Sequence, residues 1–327
     1  MEEEFSISTI KSTKKWKILV TPKEVGESLK YLPGELLKNV ELIPTGGRIS
    51  DTEKLIDLLN DKEAVVLDLE AITSETLKRC ANLKIISRFG EGCDAIDLES
   101  AKNNGVRVAK TRAVSSFAVA RHTMSLILAL THRITENDRN LKNGIWKRTP
   151  NVSDESATLG IIGCGEVGKA VAGLSKAFGF RIIIYSNIHS SPEYEFAGSL
   201  EELVEKSEIV SLHLPLTSET RNIISKDMVE TLKGKYLVNT ARGKLVDEEA
   251  VLYSLDINEM LGYATDVFLR EPISGISGEL AMHPKVICTP HISALDRNTN
   301  AKVTERAVTN ALHCLNHEHE KVISYVV

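Results

Sequence analysis

Short runs of β-branched and other apolar residues alternate with stretches of helical periodicity along almost the whole chain. Five such runs lie in the first third of the chain, at 18–20, 40–43, 64–67, 83–86 and 106–108. Six more follow, at 159–162, 181–185, 209–212, 235–238, 262–265 and 285–288. Apolar strands separated by helical crossovers are typical of parallel βαβ units. The pattern therefore predicts an α/β protein with two doubly wound parallel sheets.

Two long helices are predicted outside this alternation. The first begins after residue 115 and carries an apolar stripe formed by Phe117, Ala120, Met124, Ile127 and Leu128. The second begins near Asp296 and is followed by a predicted terminal strand over 322–327. This last part is too small to fold alone, so we expect it to return to one of the two lobes.

Composition excludes several classes of protein. The 327 residues suffice for two domains of about 150 residues each. A net charge of −5 and a pI near 6.0 provide no basic field for nucleic acid or anionic membrane. The N-terminus lacks the basic start and apolar core of a secretory signal, and no apolar run approaches the ~18 residues of a membrane span. We therefore expect neither a nucleic-acid partner nor a membrane partner.

The cysteines and histidines indicate a reducing compartment and no metal. Five cysteines are odd in number and are never spaced as a pair, which predicts thiols in the cytoplasm. His317 and His319 lie close together, but no third ligand follows at a suitable spacing. The sequence therefore predicts a cytoplasmic protein without a metal site.

The strongest single motif is Gly163-Cys-Gly165-Glu-Val-Gly168. It follows an apolar strand and opens a predicted helix with Val167, Val171, Leu174 and Phe178 on one face. The first glycine allows the tight turn, the second lets the backbone approach a pyrophosphate, and the third lets the helix pack closely on the strand. The helix N-terminus offers N–H groups and a partial positive charge to the phosphates. The motif predicts dinucleotide binding, with an adenosylmethionine site as the alternative.

The position that usually separates NAD from NADP is unusual here. Tyr185 ends the second strand and is followed by Ser186-Asn187-Ile-His189. There is no carboxylate to hold ribose hydroxyls and repel a 2′-phosphate, and no Arg or Lys to bind one. Because Ser186, Asn187 and His189 could donate hydrogen bonds to either cofactor, the sequence favours NAD only slightly and leaves NADP open.

Three further motifs follow strands of the second predicted sheet, where open α/β sheets bind ligands. They are Asn239-Thr-Ala-Arg242-Gly243, Asp266-Val-Phe-Leu-Arg-Glu271-Pro272 and Thr289-Pro290-His291. Together with Leu212-His213-Leu-Pro215-Leu-Thr217 and the Leu83–Asp97 stretch, they resemble the D-isomer-specific 2-hydroxyacid dehydrogenases. Several ordered motifs at family-like spacing are more specific than any one of them. The resemblance implies an NAD(P)-dependent oxidoreductase of the phosphoglycerate dehydrogenase type.

The resemblance implies three catalytic side chains whose chemistry suits the reaction. His291 would exchange a proton with the substrate oxygen while hydride moves to or from the nicotinamide, because imidazole titrates near neutral pH. Glu271 would hydrogen-bond the other ring nitrogen and fix its tautomer. Arg242 would clamp the substrate carboxylate with its planar guanidinium. Alone, each of these residues is more often a surface or turn residue, so the prediction depends on their joint occurrence.

The resemblance also implies cofactor contacts outside the glycine turn. Asp266 would contact the nicotinamide carboxamide, and the Thr240-Ala241 backbone would contact the same ring. The full predicted cofactor set is Gly163, Cys164, Gly165, Glu166, Val167, Gly168, Ser186, Asn187, His213, Pro215, Thr240, Ala241 and Asp266.

By analogy with the family, the first lobe is discontinuous. A flavodoxin-like substrate lobe would comprise residues 1–117 and 294–327, and a Rossmann lobe would comprise 118–293. A cleft would separate the two Rossmann-like lobes, and the helix near 117–131 would act as the hinge. Backbone amides of the Gly90-Glu91-Gly92 loop would take the substrate carboxylate, since a Cβ would block that approach. The family also implies a homodimer, with the apolar helix from residue 117 at the interface.

Three departures from the family pattern bear on the substrate. Asp68-Leu69-Glu70 stands where relatives of simple or phosphorylated acids often carry Arg-Ser. Glu91 replaces a small or apolar residue, and Arg121 replaces a usual Glu. A phosphate would be repelled by such acids, so 3-phosphoglycerate is disfavoured. Asp68 and Leu69 are predicted to contact the substrate, which could carry an amine or several hydroxyls, although these acids could equally face solvent.

Two other functions stay open from the sequence. Transcriptional corepressors share this arrangement of residues and sense NAD(H) without turnover, although they often add long tails. A dehydrogenase of phosphite type is also compatible with Arg242, Glu271 and His291, whereas formate-type members resemble a Gln–His arrangement instead.

Overall fold

The computed structural model describes residues 15–23, 25, 32, 34–38, 40–151, 157–188 and 193–327. The chain divides into two compact units, the first formed by Met1–Ser115 with Asp296–Val327 and the second by Ser116–Leu295. Each unit contains its own parallel sheet and its own buried apolar clusters. Within the described ranges no helix is both long and apolar enough to cross a membrane.

The sheet of the first unit has five strands: β1 (Trp16–Val20), β2 (Val40–Pro44), β3 (Ala64–Leu67), β4 (Ile85–Arg88) and β5 (Arg107–Ala109). Their order is β2-β1-β3-β4-β5, and every neighbouring pair is parallel. This is the flavodoxin-like doubly wound order. The strands are nearly continuous apolar runs because helices cover both faces of the sheet.

Among the described residues of the first unit, the helices are short except for the last. They are α1 (Gly34–Leu37), α2 (Thr52–Leu59), α3 (Ser74–Arg79), α4 (Leu98–Asn103) and α12 (Arg297–Leu315). Asp51, Thr73 and Asp97 cap α2, α3 and α4 by accepting backbone N–H groups. The returning helix α12 packs on β3 and β4, and the Ser87 hydroxyl donates to Ala307 O at 2.8 Å.

The predicted terminal strand at 322–327 is wrong as a regular strand. The segment pairs with β5 through one antiparallel bridge between Ala109 and Tyr325. Backbone bonds join Val326 N to Val108 O at 2.7 Å and Val108 N to Val327 O at 3.1 Å. Ser324 has a φ of 62°, which interrupts the extended backbone that a strand requires.

The sheet of the second unit has seven strands. They are β6 (Thr158–Ile162), β7 (Arg181–Tyr185), β8 (Glu195–Phe196), β9 (Ile209–Leu212), β10 (Tyr236–Asn239), β11 (Gly262–Thr265) and β12 (Val286–Cys288). The order β12-β11-β10-β9-β6-β7-β8 reverses direction around β6, as in a dinucleotide-binding sheet. Six of these strands were predicted; the seventh, β8, has only two residues and lacks an apolar run. The α/β class with two doubly wound sheets is confirmed.

The second unit contains seven α-helices within its described residues. They are α5 (Ser116–Thr131), α6 (Ile134–Lys142), α7 (Glu166–Ala177), α8 (Leu200–Lys206), α9 (Lys226–Thr231), α10 (Glu248–Asp256) and α11 (Ile276–Met282). A 3₁₀ turn at Gly243–Leu245 precedes α10. The predicted buried stripes are right for Ala120, Met124 and Ile127, but Phe117 and Phe178 are exposed. Phe117 lies in the first turn of α5, and Phe178 lies just beyond the end of α7, so neither reaches the core.

Candidate active site

A histidine–glutamate pair lies beyond the carboxyl ends of β11 and β12. Glu271 Oε2 is 2.7 Å from His291 Nδ1. The His291 backbone is left-handed, with a φ of 56°, and its N–H donates to Asp266 O at 2.9 Å. Because an ionised carboxylate only accepts, Nδ1 carries the proton and Nε2 is the nitrogen left for a reacting group.

The pKa of Glu271 is held below its ordinary value. Burial alone would raise this pKa, but hydrogen bonds from His291 and from Phe268 N, together with the charge of Arg242, outweigh the desolvation. Phe268 N donates to the second carboxylate oxygen, Oε1, at 2.9 Å. Glu271 is therefore ionised at neutral pH and fixed at both oxygens.

Arg242 follows β10 in a turn that its neighbours hold closed. The Asn239 side chain accepts from Ala241 N at 3.0 Å and donates to Arg242 O at 2.9 Å. Arg242 Nη1 donates to Ala241 O at 2.7 Å. The next residue must be glycine, because a Cβ at Gly243 would lie 2.0 Å from the Phe268 carbonyl carbon. The turn with Arg242 therefore packs directly on the segment that leads to Glu271.

Asp266 is fully buried and organises the segment around His291. Its Oδ1 accepts from the Thr289 hydroxyl at 2.5 Å and from Ile292 N at 2.9 Å, and its Oδ2 accepts from Ser293 N at 2.8 Å. His122 Nε2, on α5, lies 2.9 Å from Thr289 Oγ1. Since the Thr289 hydroxyl donates to Asp266, His122 Nε2 is the donor in this second bond. The predicted contact of Asp266 with the nicotinamide stays a prediction.

The glycine turn between β6 and α7 has the geometry that its three glycines predict. Gly163 has a φ of 102°, and a Cβ there would lie 2.6 Å from His213 O. A Cβ at Gly168 would lie 2.0 Å from Gly163 O and 3.5 Å from Ile161 Cγ2, so the helix packs directly on the end of β6 and the turn after it. A Cβ at Gly165 would meet nothing within 4 Å. The first and third glycines serve packing, and the second leaves open space at the N-terminus of a 12-residue helix, which fits a pyrophosphate.

The remaining predicted cofactor residues surround this turn. Ser186 Oγ accepts from Cys164 N at 3.3 Å and from Ile188 N at 3.0 Å, and Asn187 is exposed. Thr240 Oγ1 lies 2.8 Å from Thr123 Oγ1.

His213 Nε2 lies 2.9 Å from Ser211 Oγ, and desolvation lowers the pKa of His213 to about 3. His213 is therefore neutral, and Pro215 beside it is exposed. His189 lies outside the described residues.

In the first unit, Arg88 organises the predicted substrate loop. Its guanidinium donates to Gly92 O at 2.6 Å, to Leu67 O at 2.7 Å and to Asp68 O. Gly90 has a φ of 135°, which favours glycine. Gly90 N donates to Thr111 Oγ1 at 2.9 Å, so its predicted contact with the substrate carboxylate would share or replace this bond and stays a prediction. The amides of Glu91 and Gly92 stay predicted substrate donors.

For Glu70, both alternatives drawn from the sequence, a substrate-facing and a solvent-facing carboxylate, are wrong. Its side chain is buried; Oε2 accepts from the Thr21 hydroxyl at 2.7 Å and from Asp68 N at 3.1 Å, and Oε1 accepts from Ile49 N at 3.1 Å. A carboxylate with three protein donors is a structural tie between the ends of β1 and β3. Glu91 Oε1 likewise accepts from Ala113 N. Repulsion of a phosphorylated substrate would therefore depend only on Asp68 and on the second carboxylate oxygen of Glu91.

Comparison with known proteins places these residues in a family. The sequence profile of the D-isomer specific 2-hydroxyacid dehydrogenase NAD-binding domain matches residues 124–293. Glyoxylate reductase from Thermofilum pendens is 34% identical over 280 residues, which are 81% of this chain and 82% of that protein. The chain belongs to the D-isomer-specific 2-hydroxyacid dehydrogenases. The predicted oxidoreductase class and NAD cofactor are confirmed.

Other relatives of this dehydrogenase cover most of its length. Hydroxypyruvate reductase from Thermotoga maritima is 33% identical over 287 residues, 85% of this chain and 93% of that protein. The crystal structure of D-lactate dehydrogenase from Aquifex aeolicus, complexed with NAD and lactic acid, has a TM-score of 0.82 at 27% identity, covering 95% of this chain and 99% of that one. The match to D-3-phosphoglycerate dehydrogenase from Bacillus subtilis, 33% identical, spans 72% of this chain and only about half (47%) of that longer protein.

Sequence reasoning missed several residues that shape the dehydrogenase site. Arg88, His122, Thr289 and Glu248 all bind segments that carry predicted site residues. Thr289 stands inside the Thr289-Pro290-His291 motif and Arg88 inside the Leu83–Asp97 stretch, so their position was a usable signal. Within the described part of the chain, no group of three or more His, Cys, Asp or Glu side chains could hold a metal ion.

Proposed function

We propose that this dehydrogenase transfers hydride between NAD and a short, unphosphorylated 2-hydroxy/2-keto acid of D configuration. The observation that carries the proposal is the 2.7 Å contact between His291 Nδ1 and Glu271 Oε2, in the same unit as Arg242 and the glycine turn. The printed activities of the relatives in Thermofilum pendens and Thermotoga maritima support a short keto acid.

The proposed roles follow from the geometry of the side chains. With Nδ1 held by Glu271, His291 Nε2 gives a proton to the keto oxygen in reduction and takes it back in oxidation. Ionised Glu271 stabilises the imidazolium that oxidation produces. Arg242 binds the substrate carboxylate through two parallel N–H donors and orients the reacting carbon.

NAD fits the residues that the glycine turn presents. The space beside Gly165 and the N-terminal N–H groups of α7 would hold the pyrophosphate. Ser186 and Asn187 would contact the adenosine ribose, while Thr240, Ala241 and Asp266 would lie at the nicotinamide. When bound, NAD supplies the hydride acceptor or donor; the protein residues bind, orient and exchange the proton.

A panel of keto acids tests this proposal. Glyoxylate, hydroxypyruvate, pyruvate, 3-phosphohydroxypyruvate and a basic 2-keto acid would each be mixed with NADH or NADPH, and loss of reduced-nicotinamide absorbance followed. We expect turnover with at least one short acid and NADH, and slower turnover with the phosphorylated acid. Tight NADH binding without turnover on any acid would instead support a nucleotide-sensing scaffold. Phosphite with NAD would be assayed in parallel, because a phosphite-type dehydrogenase would respond only there.

We further propose a cytoplasmic homodimer that uses the segment after α5. Four large apolar side chains are at least half exposed in and after α6: Ile134, Leu141, Ile145 and Trp146, the last at 83%. Exposed apolar clusters of this kind are typical of protein–protein interfaces. Sedimentation equilibrium should give about twice the 36.0 kDa chain mass, and Trp146→Ser should shift the equilibrium towards the monomer. A wild-type protein that stays monomeric at micromolar concentration would contradict the dimer.

A further inference from the structure

A second glutamate, Glu248, lies buried beneath the segment that carries Glu271. It is the first residue of α10 and is 2% exposed. Its Oε1 accepts from Leu269 N at 2.6 Å, and its Oε2 accepts from the Ser277 hydroxyl at 2.5 Å. Leu269 and Ser277 flank Glu271 on both sides in sequence. The Glu248 carboxylate therefore binds both ends of the 269–277 segment, which contains Glu271, the hydrogen-bond partner of His291.

Glu248 is not needed to cap the helix that it begins. The N-terminus of α10 is already capped by Asp247, whose side chain accepts from Ala250 N at 3.0 Å. Burial raises the pKa of Glu248, and the nearby charge of Glu271 raises it further, while the bonds from Ser277 and Leu269 oppose this. Burying a carboxylate next to another acid is costly unless hydrogen bonds compensate, so the bonds from Leu269 N and Ser277 are what keep Glu248 in this position.

The same segment is also tied to the turn that bears Arg242. Gly243 packs against the Phe268 backbone so closely that no Cβ fits, and Phe268 N donates to Glu271 Oε1 at 2.9 Å. Glu248 lies five residues beyond Gly243 in the chain and binds the next amide, that of Leu269. The turn with Arg242, the start of α10 and the Glu271 segment are thus joined by close packing at Gly243 and by hydrogen bonds at Phe268 and Leu269.

We propose that Glu248 is a positioning residue for proton transfer, which holds Glu271 against His291 Nδ1 and keeps both in register with Arg242. This inference rests on the proposed function for the roles of His291 and Glu271. Glu248 acts through the backbone at Leu269 and through Ser277, and it makes no contact of its own with the reacting atoms. Its contribution is geometric, since misplacement by about 1 Å can cost about 100-fold in rate.

Matched variants separate positioning from general structure. Glu248→Ala removes both bonds, and we expect kcat to fall about 10- to 100-fold with the KM for NADH unchanged. Glu248→Gln should retain most of kcat, because its amide oxygen accepts from Leu269 N and its NH₂ donates to Ser277 Oγ. Glu249→Ala, at the exposed neighbouring position, should match the wild type. Equal kcat in the wild type and Glu248→Ala would overturn the proposal.

The pH profile of the reduction rate gives a second readout. Its acid limb is the loss of rate as pH falls, and the two variants should shift this limb in different directions. Ionised Glu271 is required, and its pKa is lowered by its bonds, so wild-type activity is lost only as pH falls through that lowered pKa. The charged groups around Glu271 are His291, Arg242 and Glu248.

Loosening the segment in Glu248→Ala would raise the Glu271 pKa and move the limb to higher pH. Glu248→Gln removes only the charge, so its limb should stay or move to lower pH. If the acid limbs of Glu248→Ala and Glu248→Gln shift in the same direction, the shift is a charge effect, and the proposal that Glu248 positions Glu271 is overturned.

A spectroscopic readout keeps the inference independent of turnover. The His291 Nδ1 proton shared with Glu271 should give a low-field proton NMR signal, assigned by its loss in Glu271→Gln. We expect the signal in the wild type and in Glu248→Gln, and its loss in Glu248→Ala. If no acid is turned over yet the signal behaves this way, the proposed function fails and the Glu248 tie stands. If Glu248→Ala does not fold, Ser277→Ala removes one bond alone, and an unchanged signal and kcat there would overturn the tie.

Discussion

Replacing His291 with asparagine is expected to lower kcat by about 10²- to 10⁴-fold, with NADH affinity within about twofold of the wild type. The reason is that His291 Nε2 is the proposed proton carrier, while the predicted NAD contacts lie elsewhere. Asparagine is chosen because His291 has a φ of 56°, and Asn tolerates left-handed backbone better than Ala. Steady-state reduction of the best keto acid and fluorescence titration with NADH measure the two effects.

His317 offers a matched control for this substitution. It is also a histidine in left-handed backbone, with a φ of 62°, but it is exposed and lies beyond α12. His317→Asn should therefore leave kcat and thermal stability unchanged. A His291→Asn variant that keeps more than a tenth of wild-type kcat would remove His291 from the proton-transfer role.

The Gly168→Ala substitution is expected to have the largest effect on stability. Its Cβ would lie 2.0 Å from Gly163 O, which is backbone and cannot rotate away. Overpacking of this kind costs about 1–3 kcal/mol and occasionally more. At about 2–4 °C per kcal/mol for a unit of this size, we expect the thermal midpoint to fall by about 2–12 °C. Differential scanning calorimetry measures the shift, and an unchanged midpoint would contradict the close helix–strand contact.

Two other glycines of the same motif and helix separate packing from cofactor binding. Gly173 lies within α7 with nothing near its absent Cβ, so Gly173→Ala should stabilise the protein by about 0.5–1 kcal/mol. Gly165 is equally open and has a φ of −77°, but it is the N-cap of α7, where alanine is less favourable than glycine, so Gly165→Ala should lower stability by at most about 1 kcal/mol. We expect it to weaken NADH binding at least tenfold, because the new methyl would occupy the proposed place of the pyrophosphate. Unchanged NADH affinity would mean that the pyrophosphate lies elsewhere.

Much of the fold was predictable because its strands are buried on both faces. Such strands have to be apolar throughout, which is why nine of the eleven predicted runs overlap a strand by three or more residues, and the other two, 83–86 and 106–108, overlap one by two residues. Features that do not require a continuous apolar run were missed. The strand β8 has only two residues, and the last residues pair with β5 through a single bridge that a left-handed residue interrupts.

The candidate site was predictable where adjacent residues in the sequence act together. The turns at Gly163 and Arg242 are local, so the motif and its geometry coincide. Glu70 could not be assigned, because its partners Thr21 and Ile49 are 49 and 21 residues away. The role of Glu248 depends in the same way on Leu269 and Ser277, at 21 and 29 residues. Hydrogen bonds between a carboxylate and residues far away in the chain produce neither a periodic pattern nor a motif in a single sequence.

The division of the first unit between both parts of the chain has a consequence during synthesis. The second unit is continuous, from Ser116 to Leu295, and can fold as soon as it is made. The sheet of the first unit must wait for α12 to cover β3 and β4 and for the last residues to protect the edge of β5. At ~5–20 residues/s this wait lasts about ten to forty seconds on the ribosome. During that time an apolar sheet face and an open strand edge are exposed, so we expect the nascent first unit to be the part of the chain most prone to aggregation.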